Sequence, residues 1–415
     1  MLGAVACSQP QPQPLLIVGA GPAGLAASIE AAASGPVVLL EAAERAGGSA
    51  IWATGVTVLP LRPGGHPHLD ALRTDGVDWL TEQGVAFGPT AAPAPRGFQS
   101  LQPVGGGAQL AAVLIDKAKR AGVQLRTGCA VEALVPGDVW TVKTDSCGSF
   151  SSPVLVLATG GVLGDDAARQ AWLGEPTPRL SPATTARTGL ALTKSLGAAR
   201  FDEGRVLWFD HVSPISGLGR TLAAPPSAVA LSATGERLSG ALRGYGPGLE
   251  GVAWAIVSGV DRGRSQLFDI ALGQLVPLSQ HVSEGGGFEA DTVADVALRT
   301  GISEDMITAA LRRRTPRGPG GLPSGPHAVV RLERAAAKQL GGLQTDAQGR
   351  VLSPAGRPLP GLFAAGELTG FHGLHAGHTP VDSTMVVGAV VTGRIAGREA
   401  MRSAALRPGL FAPQD

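Results

Sequence analysis

Runs of four or more apolar residues recur along the chain, and each ends at a glycine or an acid. Leu15–Val18 ends at Gly19, and Val37–Leu40 ends at Glu41. Val154–Ala158 runs into Thr159-Gly160-Gly161, and Leu362–Ala365 runs into Gly366-Glu367. Uninterrupted apolar runs suit strands covered on both faces, which is the pattern of a parallel sheet between helices. An Ala-rich run, Leu25–Ala33, predicts a helix directly after the first strand. A short helix is predicted over Leu69–Gln83. Gly105–Gly107 open another, with Leu110, Val113, Leu114 and Ala118 at helical spacing and Gly122 as its stop. Val123–Arg126, Ala130–Val135 and Val139–Val142 read as strands, the last as part of a hairpin. From about 200 to 320 the texture changes to short apolar runs among Gly, Pro and Arg, with two helices predicted within Ala290–Arg314. The strand-loop pattern returns at 326. Ser383–Arg398 reads as the last helix, with Gly388, Ala389, Gly393 and Gly397 available for close packing. The expected organisation is a leader or tether at 1–14, one α/β domain made from 15–200 and 326–415, and an inserted α+β domain at 201–325.

Composition narrows this picture. A chain of 415 residues with 44% hydrophobic and 16% charged residues has material for two globular domains. Its 60 glycines follow no collagen period, so they point to turns and close backbone approach. A net charge of +1 gives no electrostatic basis for a nucleic-acid partner. No run of 18 apolar residues occurs, so no transmembrane span is predicted. Cys7, Cys129 and Cys147 form no C-x-x-C, which supports neither a dithiol pair nor a zinc site, and Cys129 reads as a buried thiol. Leu2–Cys7 is similar to the end of a bacterial lipoprotein signal, and Ser8–Pro14 reads as a polar tether. No basic segment or full apolar region precedes it. A cytoplasmic location is therefore expected, with an exported lipoprotein anchored at Cys7 as the alternative.

The chemistry begins at Gly19-Ala20-Gly21-Pro22-Ala23-Gly24. In a G-x-G-x-x-G between strand and helix, Gly19 permits the tight turn, Gly21 lets backbone approach a pyrophosphate, and Gly24 lets the helix pack on the strand. The helix start offers free N–H groups and partial positive charge to phosphates. Glu41, 22 residues after Gly19, stands where a carboxylate accepts hydrogen bonds from ribose hydroxyls. The chain is therefore expected to bind a dinucleotide. Gly47-Gly48-Ser49, then Thr54-Gly55, form a loop placed to run under it. His66 and His68 read as solvated loop residues, and no metal site is expected.

Four separated motifs then act together: the glycine turn with Glu41, Ala158-Thr159-Gly160-Gly161, Gly341-Gly342-Leu343-Gln344-Thr345-Asp346, and Pro360-Gly361-Leu362-Phe363-Ala364-Ala365-Gly366-Glu367. In this order they resemble the fumarate reductase/succinate dehydrogenase flavoprotein family, which includes the 3-ketosteroid dehydrogenases. The resemblance runs from about 15 to 400. It implies FAD, a Rossmann-like domain of the glutathione-reductase type built from two segments, and an inserted capping domain. By position it implies that Glu41, with Ala42 beside it, meets the adenosine ribose and that Val131 meets adenine through its backbone. It places Gly47, Gly48 and Ser49, with Thr54 and Gly55, by the pyrophosphate and flavin, and Ala158, Thr159 and Gly160 in the same site. Gly366 and Glu367 would reach the ribityl chain and phosphates. Thr384, Met385 and Val386 would turn N–H groups to the N1/O2 edge of the flavin.

The catalytic positions depart from the family pattern. Lys338 stands where the fumarate reductases carry a His before Gly-Gly. His372, His375 and His378 replace an Asn-Arg-Leu-Gly-Gly context, and Arg317 matches the proton-donating Arg only loosely. The ketosteroid dehydrogenases use tyrosines, and the one Tyr here is Tyr245. The resulting expectation is an FAD-dependent oxidoreductase that oxidises or reduces a C–C bond of a small substrate, which can carry a carboxylate, by hydride transfer at flavin N5. His375 and His378 are the candidates for moving the proton, and Lys338 and Arg317 for holding an anionic group. No second glycine fingerprint follows a strand, so no dedicated nicotinamide domain is expected, and electrons are expected from a substrate, a quinone, a separate redox protein or oxygen. The alternative is a flavoprotein that binds FAD and shuttles electrons, or does no chemistry, having lost the substrate site.

Overall fold

The computed structural model describes residues 15–53, 55–62, 64, 70–89, 97–177, 180–181, 187–212, 220–222, 228–238, 252–269, 274–312, 325–373 and 385–405. They fall into two compact units. One comprises Met1–Val162, Thr185–Arg205 and Gln339–Asp415, and the other Leu163–Thr184 and Val206–Lys338.

The first unit is built on a six-stranded sheet in the order Arg350–Leu352, Pro358–Ala364, Leu155–Leu157, Leu15–Val18, Val37–Leu40, Gln124–Arg126. The last five run parallel, and Arg350–Leu352 is an antiparallel edge. Leu15, Leu16 and Ile17 are completely buried, as are Leu155, Val156 and Leu157. Each such side chain contributes about 1.5–3 kcal/mol on leaving water, which is why the uninterrupted apolar runs occupy the centre of the sheet. The Ala-rich helix Pro22–Ala32 follows the first strand, and the long helix Met385–Ala405 packs on it. Small residues set that contact. A Cβ on Gly393 would lie 2.1 Å from the Ala23 carbonyl oxygen, and one on Gly397 2.3 Å from that of Ala27. Beside this seam Arg394 donates to Glu30 at 2.9 Å and to the Asp75 carbonyl at 2.8 Å, and lies over the Trp79 ring. Gly106–Arg120 is a helix with Leu110, Ala111, Leu114 and Ala118 buried on one stripe.

A separate three-stranded antiparallel sheet is formed by Val131–Val135, Trp140–Thr144 and Ser149–Ser152. Here one expectation is corrected. Cys129 is buried, but it is no free thiol: a disulfide joins it to Cys147, with the Cα atoms 5.4 Å apart. The hairpin between them brings together two cysteines whose spacing in sequence gives no C-x-x-C signal.

The second unit is built on an eight-stranded sheet. Its long strand, His327–Gln339, pairs with Ala253–Ser258 and with Gly287–Ala290. Alternation along the strands sorts the core into two faces. Ala228, Ala230, Ala255, Val257, Ala328 and Val330 belong to one cluster. Val229, Leu231, Ile256 and Val329 belong to the other, which includes Val296, Ile307 and Leu311 from the helices Val293–Thr300 and Glu304–Arg312. Thr292 starts the first of these helices with a capping box to Asp295. The inserted unit therefore differs from the expected 201–325. It runs to Lys338, because the strand after 326 pairs over His327–Leu332 with this sheet, and it takes in Leu163–Thr184. The helical stretch expected from Ala290 begins at Val293, since Ala290 ends a strand. Among the described residues, no helix is long and apolar enough to cross a membrane.

Candidate functional site

The site forms where the first strand turns into the first helix. Gly19 has φ +100°, which a side chain rarely adopts, and a Cβ there would lie 2.3 Å from the Ala158 carbonyl oxygen. Gly24 is equally constrained, since its Cβ would fall 1.7 Å from the Gly19 oxygen. Gly21 is different: a Cβ there would meet only the Cα of Gly48, at 3.8 Å. That glycine keeps a space empty beside the helix start. Pro22 opens the helix, no side chain caps it, and its first turn holds no acid. The N–H groups of Ala23 and Gly24 and the positive end of the helix dipole therefore face this space without a built-in anion. The arrangement fits a pyrophosphate.

Around this turn the structure assembles several of the expected residues. The Gly47 N–H donates to the Ala20 carbonyl at 2.8 Å, and a Cβ on Gly48 would come within 2.8 Å of the Gly21 Cα. The loop thus lies against the glycine turn, with Ser49 exposed beside it. Glu41 is oriented by two backbone donors: Ala20 N–H to Oε2 at 2.7 Å and Ala43 N–H to Oε1 at 2.9 Å. Each oxygen keeps a second lone pair for an incoming hydroxyl. Ala42, next to it, is half-buried. Gly55 has φ +72°, and a Cβ there would press on Pro103 at 3.0 Å. At the end of the Leu155–Leu157 strand, the Thr159 hydroxyl accepts the Gly189 N–H at 2.9 Å, and Gly160 faces open space with φ +76°. Gly366 donates its N–H to the Thr392 hydroxyl at 3.0 Å, and a Cβ on it would touch that of Ala23 at 3.0 Å. The second glycine–acid strand end therefore meets the start of the first helix.

Other expected residues sit elsewhere or are already engaged. Val131 is buried in the three-stranded sheet, at a register irregularity opposite Thr144. Met385 and Val386 are the first residues of the long helix. The Glu367 carboxylate accepts the Gln339 N–H at 2.8 Å. Lys338 is half-buried on the long strand of the second unit. Arg334, four residues earlier and so on the same strand face, lies 3.5 Å over the Trp208 ring. Thr54, Arg317, His375, His378 and Thr384 lie outside the described residues.

One residue of the site was missed. Gln339 is fully buried. Its Oε1 accepts the Val162 N–H at 2.9 Å, and its Nε2 donates to the Gly341 carbonyl at 2.7 Å. With its backbone N–H on Glu367, it locks three loops of the first unit together, and Gly161 is packed against both side chains. The available signal was an uncharged amide in an apolar run just before Gly341-Gly342. In the second unit, the Ser258 hydroxyl and His327 Nδ1 form a buried pair at 2.7 Å across neighbouring strands, and burial holds the imidazole below its ordinary pKa.

The sequence profile of the FAD binding domain family matches residues 15–97 and 65–379. A KsdD-like steroid dehydrogenase of Mycobacterium tuberculosis is 44% identical over 79 residues, a stretch that is 19% of this chain and 14% of that protein. A fumarate reductase (cytochrome) of Shewanella frigidimarina is 22% identical over 94% of this chain and 77% of its own length. A vinyl phenol reductase of Lactiplantibacillus plantarum is 24% identical over 93% and 96% respectively. Among solved structures, 3-ketosteroid delta1-dehydrogenase from Sterolibacterium denitrificans superposes with a TM-score of 0.76 at 15% identity, covering 95% of this chain and all of that one.

Proposed function

Since the chain belongs to the FAD binding domain family, in its fumarate reductase-like branch, we propose that it is an FAD-dependent oxidoreductase that oxidises or reduces a C–C bond of a small substrate able to carry a carboxylate. The observation that carries this reading is the extent of the similarity. It runs over 93–94% of the chain, inserted unit included, to a fumarate reductase and a vinyl phenol reductase. The cofactor supplies hydride acceptance or donation at its N5.

The chain's own residues divide the remaining work. Ala23 and Gly24 N–H groups hold the pyrophosphate, Gly21 gives it room, and Glu41 orients the adenosine ribose. Gly47, Gly48, Ser49, Thr54, Gly55, Thr159 and Gly160 bind the rest of the cofactor. Gln339 holds Glu367 in place through its N–H. Met385 and Val386 present the start of a helix to the flavin edge that gains charge on reduction, and Thr384 binds the same edge. Lys338 and Arg317 hold the anionic group of the substrate. His375 and His378 move the proton, since an imidazole titrates near neutral pH. The electron partner is a separate quinone or redox protein. The Cys129–Cys147 disulfide favours an exported protein over a cytoplasmic one, because such bonds persist in oxidising compartments.

Anaerobic dithionite reduction of the yellow protein, followed by a panel of enoates and enones, tests this. Reoxidation of the flavin by one compound class, lost in a His375→Ala/His378→Ala variant, is the expected result. Bound FAD that no compound in either direction perturbs would refute catalysis and leave an electron shuttle or scaffold.

A further inference from the structure

We propose that the Cys129–Cys147 disulfide is a positioning element of the FAD site, fixing the cofactor's adenosine end by holding the backbone that aims Glu41. The inference rests on the assignment of Glu41 to the adenosine ribose.

The acid sits between two backbone contacts from one neighbouring segment. Its N–H donates to the Arg126 carbonyl at 2.8 Å, and its carbonyl accepts the Cys129 N–H at 2.8 Å. The Gly128 N–H adds a bond to the Ala43 carbonyl at 3.0 Å. Ala43 in turn supplies one of the two N–H groups that orient the Glu41 carboxylate. Residues 126–129 are thus the rail along which Glu41–Ala43 lies.

That rail is short and ends in a loop. What fastens it is the hairpin turn carrying Cys147. The Ser146 hydroxyl donates to the Gly128 carbonyl at 2.6 Å, the Ala130 N–H donates to Asp145 Oδ1 at 3.0 Å, and the disulfide closes the junction covalently. Cys129 is buried and Cys147 exposed, so a solvent reductant reaches the bond at Cys147. Reduction takes two electrons and two protons and leaves two thiols. A water-soluble phosphine supplies the electrons and becomes its oxide with an oxygen from water. Only the hydrogen bonds then hold the turn to the rail.

The experiment is a titration of full-length apo-protein with FAD, read by flavin fluorescence. It compares oxidised wild type, wild type reduced by the phosphine and freed of it, Cys147→Ser, Glu41→Gln, and the double variant. Reduction or Cys147→Ser is expected to weaken FAD binding about tenfold, a factor corresponding to loss of aim at one charged hydrogen-bonding group. In the Glu41→Gln background the same change is expected to cost nothing further, because the acid through which the disulfide acts is gone. If the disulfide only adds stability, its reduction or Cys147→Ser would lower the unfolding midpoint and leave the FAD affinity unchanged. That result, or an equal tenfold loss in both backgrounds, would overturn the proposal while leaving Glu41 assigned. Wild-type affinity in Glu41→Gln would overturn the assignment of Glu41 itself. Reduction of the folded wild type keeps the test decisive if Cys147→Ser fails to fold.

Discussion

Replacing Gly21 or Gly24 with alanine adds the same methyl group three residues apart, and the structure gives the two changes opposite consequences. Gly21 has φ −77° and ψ −177°, a conformation that alanine adopts freely, and its new Cβ would meet nothing nearer than the Gly48 Cα at 3.8 Å. The apo-protein should therefore be as stable as wild type, or gain about 0.4–1 kcal/mol from the stiffer unfolded chain. The methyl group would instead fill the space in which a pyrophosphate meets the Ala23 and Gly24 N–H groups. Hydrogen bonds to charged groups contribute about 1.5–3 kcal/mol each. Losing two at the lower value is about 3 kcal/mol, or roughly a 150-fold weaker Kd for FAD. At Gly24 the methyl group would overlap the Gly19 oxygen at 1.7 Å, so strand and helix would have to separate, costing about 3 kcal/mol or more. Urea unfolding of the two apo-proteins and fluorescence titration with FAD separate the effects. Gly21→Ala that binds FAD within threefold of wild type would refute the placement of the pyrophosphate. Gly24→Ala with an unchanged urea midpoint would refute the packing argument.

Three further outcomes follow from the geometry. Gln339→Leu leaves the Val162 N–H and the Gly341 carbonyl without their buried partners, for a loss of about 2–4 kcal/mol in the first unit; an unfolding midpoint equal to wild type would contradict that lock. Gly393→Ala drives a Cβ to 2.1 Å from the Ala23 oxygen and should cost about 1–3 kcal/mol, read from the thermal midpoint, whereas Val386→Ala on the half-buried face should cost less. Burial lowers the pKa of His327, so above the ordinary value near 6.5 it is neutral folded and unfolded alike. As pH falls below that value the unfolded chain binds the proton first. Stability is then lost by up to about 1.4 kcal/mol per pH unit until the folded value is reached. His327→Gln should remove that part of the slope between pH 7 and 5 in urea titrations, and an identical slope in the variant would show that His327 does not carry it.

What was legible in the sequence was local. The apolar runs closing on Gly19, Glu41, Gly160 and Gly366 needed only neighbours in sequence to declare buried strands with polar ends, and the sheet uses them so. The roles of Gly19 and Gly24 were equally readable, because a tight turn and a close helix leave no other residue type. The boundary near 326 is not legible in the run itself, because an apolar strand looks the same whichever sheet receives it; its pairing with Ala253–Ser258 is what assigns it. The disulfide was hidden for a related reason, since the hairpin, not the spacing, brings Cys129 to Cys147. Gln339 carried almost no signal, as its partners Val162, Gly341 and Glu367 meet only in the fold.

The contact of Ala23 and Ala27 with Gly393 and Gly397 also has a meaning in time. Glu30 and its partner Arg394, on the same two helices, are 364 residues apart in sequence. At about 5–20 residues per second of synthesis, the first helix waits roughly 20–70 s for the helix that covers it. The sheet waits too, because Leu155–Leu157 gains its neighbour Pro358–Ala364 late. All strands of the inserted unit leave the ribosome earlier, and their pairings close over shorter stretches of chain. The inserted unit therefore has all its strands while the first unit, whose opening strand already has Val37–Leu40 and Leu155–Leu157 beside it, still lacks the strand Pro358–Ala364 and the long helix Met385–Ala405.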